Sequence, residues 1–147
     1  MKVALGSDHR GVAKRAALLV EVERLGHVAV DCGVSEGVAS DYPDVAADVA
    51  SRVARGEADR GILMCGSGIG MSIAANKIAG VRAALVHDLH GAEFSRRHND
   101  ANVLCLSADQ LDQDALAAII QRWLDTEFEG GRHQRRVDKI AKLDRLT

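Results

Sequence analysis

With 147 residues and 47% hydrophobic content, the chain is the size of one domain, 1–147, and long enough to bury a core of its own. A formal net charge of -2 gives no whole-chain attraction to nucleic acid or to an anionic membrane, and neither is expected as a partner. Aromatic residues make up only 3%, so the core is aliphatic and close helix–sheet contacts are expected, as in layered α/β packing.

In chain order, the run Lys2 to Ser7 reads as a strand and Val12 to Leu25 as the helix after it. A second strand over His27 to Asp31 precedes a helix over Asp44 to Arg55, with Pro43, the only proline, suited to its first turn. Gly61 to Met64, Val81 to Val86 and Asn102 to Leu106 are further strands, followed by helices over Gly70 to Lys77, Leu89 to His98 and Asp112 to Thr126. The strand runs are continuous rather than alternating, which fits burial on both faces, and each gap is long enough for a crossover helix. Regular β-α alternation with right-handed crossovers predicts an α/β fold, a doubly wound five-stranded parallel sheet flanked by helices. Beyond Trp123 the pair Gly130-Gly131 marks a hinge or helix stop, and a polar, locally basic, helical tail runs to Leu146.

Cys32, Cys65 and Cys105 are odd in number and lie in or beside strand-like runs, unlike a secreted disulfide framework. No apolar stretch approaches a signal segment or a membrane span. A reducing, cytoplasmic setting is the expectation.

In a parallel α/β sheet, ligands bind beyond the carboxyl ends of the strands. There the chain places Asp8-His9-Arg10-Gly11, Cys65-Gly66-Ser67-Gly68-Ile69-Gly70 and His87-Asp88. Glycines at alternate positions let backbone N–H groups turn inward, so the middle segment should bind an anion: a phosphate, or the enediolate oxygen formed when a proton leaves beside a carbonyl. Two other readings are a plain strand-to-helix turn and a dinucleotide fingerprint, but the spacing is GxGxG rather than GxGxxG and it follows the third strand. Cys65 sits at the mouth of this segment. A free thiol has a pKa of about 8.5, and inward N–H groups favour the thiolate, so Cys65 is a candidate base or nucleophile. Cys32 and Cys105 read as inert core residues. A cysteine hydrolase stays open at this point. His9, His87, His90, His98 and His133 show no dense metal-ligand spacing, and neither metal nor cofactor is expected. Arg132 and Arg136, four apart, share one helix face and suit either a phosphate dianion or solvent.

Five motifs stand in order along the chain: SDHRG (Ser7 to Gly11), DYP (Asp41 to Pro43), CGSGIGMSIAANK (Cys65 to Lys77), RRHND (Arg96 to Asp100) and EGGRHQRRV (Glu129 to Val137). Through them the chain resembles ribose-5-phosphate isomerase type B, in the wider group with the galactose-6-phosphate isomerase subunits. The resemblance implies a Rossmann-like sheet and a homodimer, or a dimer of dimers, with its sites at the subunit interface and no metal. It implies that Cys65 moves a proton between C2 and C1 of a sugar phosphate through a cis-enediolate, while Ser67 handles the oxygen protons. Gly66, Gly68, Gly70 and Asn99 would stabilise the enediolate. His98, with Asp8 nearby, would open the furanose ring. His9, Arg132 and Arg136 would hold the phosphate, and Tyr42 would line the sugar pocket.

One position departs from the pattern. Family members commonly carry a phosphate-binding arginine where this chain has Asp109. A carboxylate aimed at a dianion would repel it, so Asp109 is expected to turn outward or to pair with a cation such as Arg132 or Arg136. The activity these readings imply is interconversion of ribose 5-phosphate and ribulose 5-phosphate. Its rivals are an isomerase of another aldose phosphate or a free aldose, and a phosphosugar- or nucleotide-binding module without turnover.

Overall fold

The computed structural model describes residues 1–144. Its elements alternate as the sequence pattern requires: β1 (Lys2–Ser7), α1 (Val12–Arg24), β2 (Val28–Asp31), α2 (Tyr42–Ala54), β3 (Arg60–Cys65), α3 (Ile69–Ala75), β4 (Ala83–Leu85), α4 (Leu89–Arg97), β5 (Val103–Ser107), α5 (Gln113–Asp125) and α6 (Arg132–Leu143). The five strands form one parallel sheet in the order β2-β1-β3-β5-β4. From β1 the chain turns aside to β2, whereas from β3 it passes over β5 to reach β4. The strand order therefore reverses between β1 and β3, and a crevice opens beyond their carboxyl ends.

Both faces of the sheet are covered, and the strand period of two sorts residues between them. Val3, Leu5, Ile62, Met64, Leu104 and Leu106 join Leu18 and Val22 of α1 and Leu116, Ile120 and Trp123 of α5. Ala4, Leu63, Cys65, Val103 and Cys105 face Val45 and Val49 of α2 and Met71 and Ala75 of α3. On this second face α2 lies almost on the backbone: a Cβ at Gly6 would stand 2.7 Å from Val45 Cγ1, and one at Gly61 2.8 Å from Val49 Cγ1. Small residues at the contact bring the helix close, as the low aromatic content anticipated.

Several boundaries differ from the sequence reading. Helix α2 begins at Tyr42 rather than Asp44, because extended Asp41 is its N-cap and Pro43 falls in the first turn, where no N–H is needed. Strand β4 is only Ala83–Leu85, not Val81 to Val86, since the Val81 N–H closes a turn on Ile78 O at 3.1 Å. Strand β3 extends to Arg60 and Cys65, which carries the cysteine to the rim of the sheet. Helix α4 starts at Leu89 as read, and α5 at Gln113 rather than Asp112; their N-caps are Asp88 and Asp112, whose carboxylates accept from the N–H groups of Gly91 at 2.7 Å and Ala115 at 2.8 Å. Gly130 and Gly131 take positive φ, 67° and 54°, and turn the chain into α6. The predicted end of the tail, Leu146, lies outside the described residues. Among those described, no helix is long and apolar enough to cross a membrane.

Candidate active site

Cys65 ends β3, and the glycine segment folds back over its thiol. The Gly68 N–H donates to Cys65 Sγ at 3.2 Å. That approach depends on glycine: Gly68 has φ 77°, and a Cβ there would meet the Leu106 carbonyl oxygen at 2.9 Å. Ser67 is exposed beside it, its Oγ accepting from the Ile69 N–H at 3.3 Å. The Tyr42 ring lies against Gly70, where a Cβ would be 2.5 Å from Cε2. So α2 and the glycine segment form two walls of one hollow, with Cys65, Ser67, Gly66, Gly68, Gly70 and Tyr42 together.

The third wall comes from β1. Asp8 is buried, and its Oδ1 accepts from the Arg10 N–H at 3.0 Å, a tight turn that sends the next two side chains apart. His9 goes toward α2 and lines an open cavity of about 460 Å³ with Ala39, Ser40, Asp41 and Asp44. Arg10 goes the other way, and its Nη2 pairs with Asp109 Oδ2 at 2.7 Å. Of the two arrangements expected for Asp109, outward or paired with a cation such as Arg132 or Arg136, the structure has the pairing, but with Arg10 as the cation. No local pattern links residues 10 and 109, which meet only because β1 and β5 flank β3.

His98, Asn99, Arg132 and Arg136 lie elsewhere in the chain. His98 caps the C-terminus of α4, which runs back toward the amino-terminal edge of the sheet. There Asn99 O accepts from Arg82 Nε at 3.2 Å, just ahead of β4. Strand β3, six residues and thus on the order of 20 Å long, separates that edge from the Cys65 rim. Within one chain, therefore, His98 and Asp8 are not neighbours, and Asn99 is not beside the glycine segment. Both arginines are exposed on α6, one turn apart.

A second cluster surrounds His98. Its ring stacks on His133 at 4.1 Å and 7°. Glu129 reaches both, with Oε2 4.0 Å from His98 Nε2 and Oε1 3.8 Å from His133 Nε2. Burial, followed by the nearby His98, holds the His133 pKa below its ordinary value, with Glu129 pulling the other way. His98, Glu129 and His133 present donor atoms within 4.8 Å of one another, a grouping the spacing of the histidines did not suggest. It suits a metal poorly: Arg97 Nη2 holds Glu129 Oε2 at 2.8 Å, and Arg132 Nε stands 3.4 Å from His133 Nε2. Guanidinium groups already occupy the surroundings a cation would need.

The other cysteines differ from Cys65. Burial raises the thiol pKa of Cys105 far above its ordinary range, with Cys65 adding to the shift. Burial also raises that of half-buried Cys32.

Comparison with known proteins gives a consistent result. The ribose/galactose isomerase family profile matches residues 3–140. Ribose-5-phosphate isomerase B of Escherichia coli is 41% identical over 143 residues, covering 97% of this chain and 96% of its own. The structure of ribose-5-phosphate isomerase B from Clostridium thermocellum superposes with a TM-score of 0.97 at 42% identity, covering 99% of both chains. That of the Mycoplasma genitalium ribose-5-phosphate isomerase B with bound ribulose-5-phosphate gives 0.94 at 39% identity, covering 99% of this chain and 97% of the other. The profile spans nearly the whole chain, and 41% identity to a curated relative and the shared fold agree with it: the chain belongs to the ribose/galactose isomerase family.

Proposed function

We propose that this protein interconverts ribose 5-phosphate and ribulose 5-phosphate, with Cys65 as the proton-transfer base. The observation that carries the reading is the thiol at the end of β3, under a glycine turn whose Gly68 N–H points at the sulfur. A relative that holds ribulose-5-phosphate on the same fold supports the substrate class. In the forward direction the Cys65 thiolate takes the proton from C2 of the open-chain aldose. The electron pair moves through C1 to the aldehyde oxygen, and the cis-enediolate charge is held by N–H groups of the segment around Gly66, Gly68 and Gly70. Ser67 passes a proton between O2 and O1, and Cys65 returns its proton to C1, leaving the ketose. This sequence needs no external oxidant, because C1 is reduced as C2 is oxidised.

His98 and Asn99 enter from a second copy of the chain. The reading is supported by their place at the opposite edge from Cys65, and by Ile69 and Ile73, 53% and 59% exposed on the helix that leaves the glycine segment. In such a homodimer, His98 of one copy meets Asp8 of the other to open the furanose ring, and Asn99 supports the enediolate. His9, Arg132 and Arg136 hold the phosphate, and Tyr42 bounds the sugar. The three free cysteines support a reducing, cytoplasmic setting.

The test is formation of ketose, and exchange of solvent hydrogen at C2, across four-, five- and six-carbon aldose phosphates. Ribose 5-phosphate should be the preferred substrate. Cys65→Ala should lose about 10²-fold or more in kcat with KM little changed. A folded Cys65→Ala protein with near-normal turnover would remove the thiolate from the mechanism.

A further inference from the structure

We infer that Arg10, held across the glycine segment by Asp109, is a further substrate-binding residue that takes the phosphate of the sugar; the inference rests on the isomerase reading above. The pair lies directly on the hollow. A Cβ at Gly66 would be 3.0 Å from Arg10 Nε, 3.2 Å from its Cζ and 3.1 Å from Asp109 Oδ2. The residue after Cys65 is thus roofed by a guanidinium and a carboxylate.

Both ends of the pair are fixed by the backbone. On one side, the Asp8 turn sets the direction in which Arg10 leaves β1. On the other, the loop carrying Asp109 is strapped to the glycine segment. The Ala108 N–H donates to Cys65 O at 2.9 Å, the Asp109 N–H to Gly66 O at 3.1 Å and Ser107 Oγ to Gly66 O at 2.7 Å. Ser107 Oγ also accepts from the Gln110 N–H at 3.1 Å. Lys14 Nζ reaches in from α1 to donate to Ala108 O and, at 2.6 Å, to Leu111 O. Side chains supported in this way hold their geometry when a ligand arrives.

Two features suit this pair to a ligand rather than to holding the fold. First, among the described residues the guanidinium donates only from Nη2, so Nε and Nη1 keep no protein acceptor, although Nε lies over Gly66. An arginine can hold a carboxylate with one nitrogen and offer its remaining donors to a phosphate. Second, the side chains are 56% and 50% exposed, where a pair adds little to stability. The same exposure leaves the free donors open to a ligand. Asp109 alone would repel a dianion at this rim; paired, it becomes the anchor that positions Arg10.

The assignment predicts a change of sign that a merely structural pair would not show. Arg10→Ala should raise KM for ribose 5-phosphate at least about tenfold, with kcat within about twofold, and weaken binding of inorganic phosphate by a similar factor. Asp109→Asn in the wild-type background should raise KM, because Arg10 loses its anchor. In the Arg10→Ala background, Asp109→Asn should lower KM, because the carboxylate left behind only repels. Arg10→Ala combined with Asp109→Arg returns a cation to the rim and should recover most of the lost affinity. Wild-type KM and phosphate affinity in Arg10→Ala would overturn the inference while leaving the isomerase intact. So would an Asp109→Asn change that lowers KM in both backgrounds. Should the wild type form no ketose from any aldose phosphate, the isomerase reading fails, and phosphate affinity of the Arg10 variants still decides whether Arg10 binds the anion.

Discussion

The cysteines show how position on the sheet divides one residue type into different roles. Cys105 and Cys65 share the face under α2 and α3, but Cys105 is in mid-strand, opposite Leu63, and Cys65 ends its strand at the rim. Burial keeps the Cys105 thiol protonated, so it acts as a small apolar side chain. Cys105→Ala should therefore cost about 1–2 kcal/mol in urea unfolding and leave turnover unchanged. A parallel loss of kcat would tie Cys105 to the chemistry. The distinction was legible in the sequence, because one cysteine is followed by glycines and the other by Leu106. Arg10 and Asp109 were not legible as a pair. Helix and strand periodicities relate residues a few positions apart, and neither reaches across 99 positions.

At the scale of elements, the order and type of every strand and helix followed from apolar runs and turn residues, while the ends were set by contacts outside those runs. Strand β4 is short because Val81 hydrogen-bonds into the turn before it. The second histidine cluster likewise depends on packing, since α6 places His133 against His98 only after Gly130 and Gly131 turn the chain. This docking makes stability depend on pH. Burial and then His98 lower the His133 pKa, Glu129 raises it, and Arg132 and Arg136 lower it further. As pH falls below about 6.5, the unfolded chain takes up this proton before the folded one does, so stability falls through the window from that value down to the folded pKa. Glu129 itself titrates lower, because Arg97 holds its carboxyl below the usual range. Thermal melts at pH 7.5 and 5.5 should show a loss for the wild type that His133→Asn reduces. An equal loss in the variant would place the acid sensitivity elsewhere.

For the whole molecule, the residues proposed for the site are divided between two ends of the sheet. Asp8, Tyr42, Cys65, Ser67 and Arg10 stand at the carboxyl rim, whereas His98 and Asn99 stand at the opposite edge, a strand's length away. No rotation of side chains closes that gap. In the proposed two-fold dimer each interface contact occurs twice, so two composite sites would form together, each with the rim of one copy and the α4 terminus of the other. Two inactive variants should then complement one another. When Cys65→Ala and His98→Ala chains are co-expressed, a mixed dimer carries both substitutions in one site and neither in the other. With random pairing, half the dimers are mixed and half of their sites are intact, so activity should recover to about a quarter of wild type. Each variant purified alone should stay inactive. If co-expression restored nothing although mixed dimers were isolated by two affinity tags, His98 would act in its own chain or not at all, and the composite site would have to be given up.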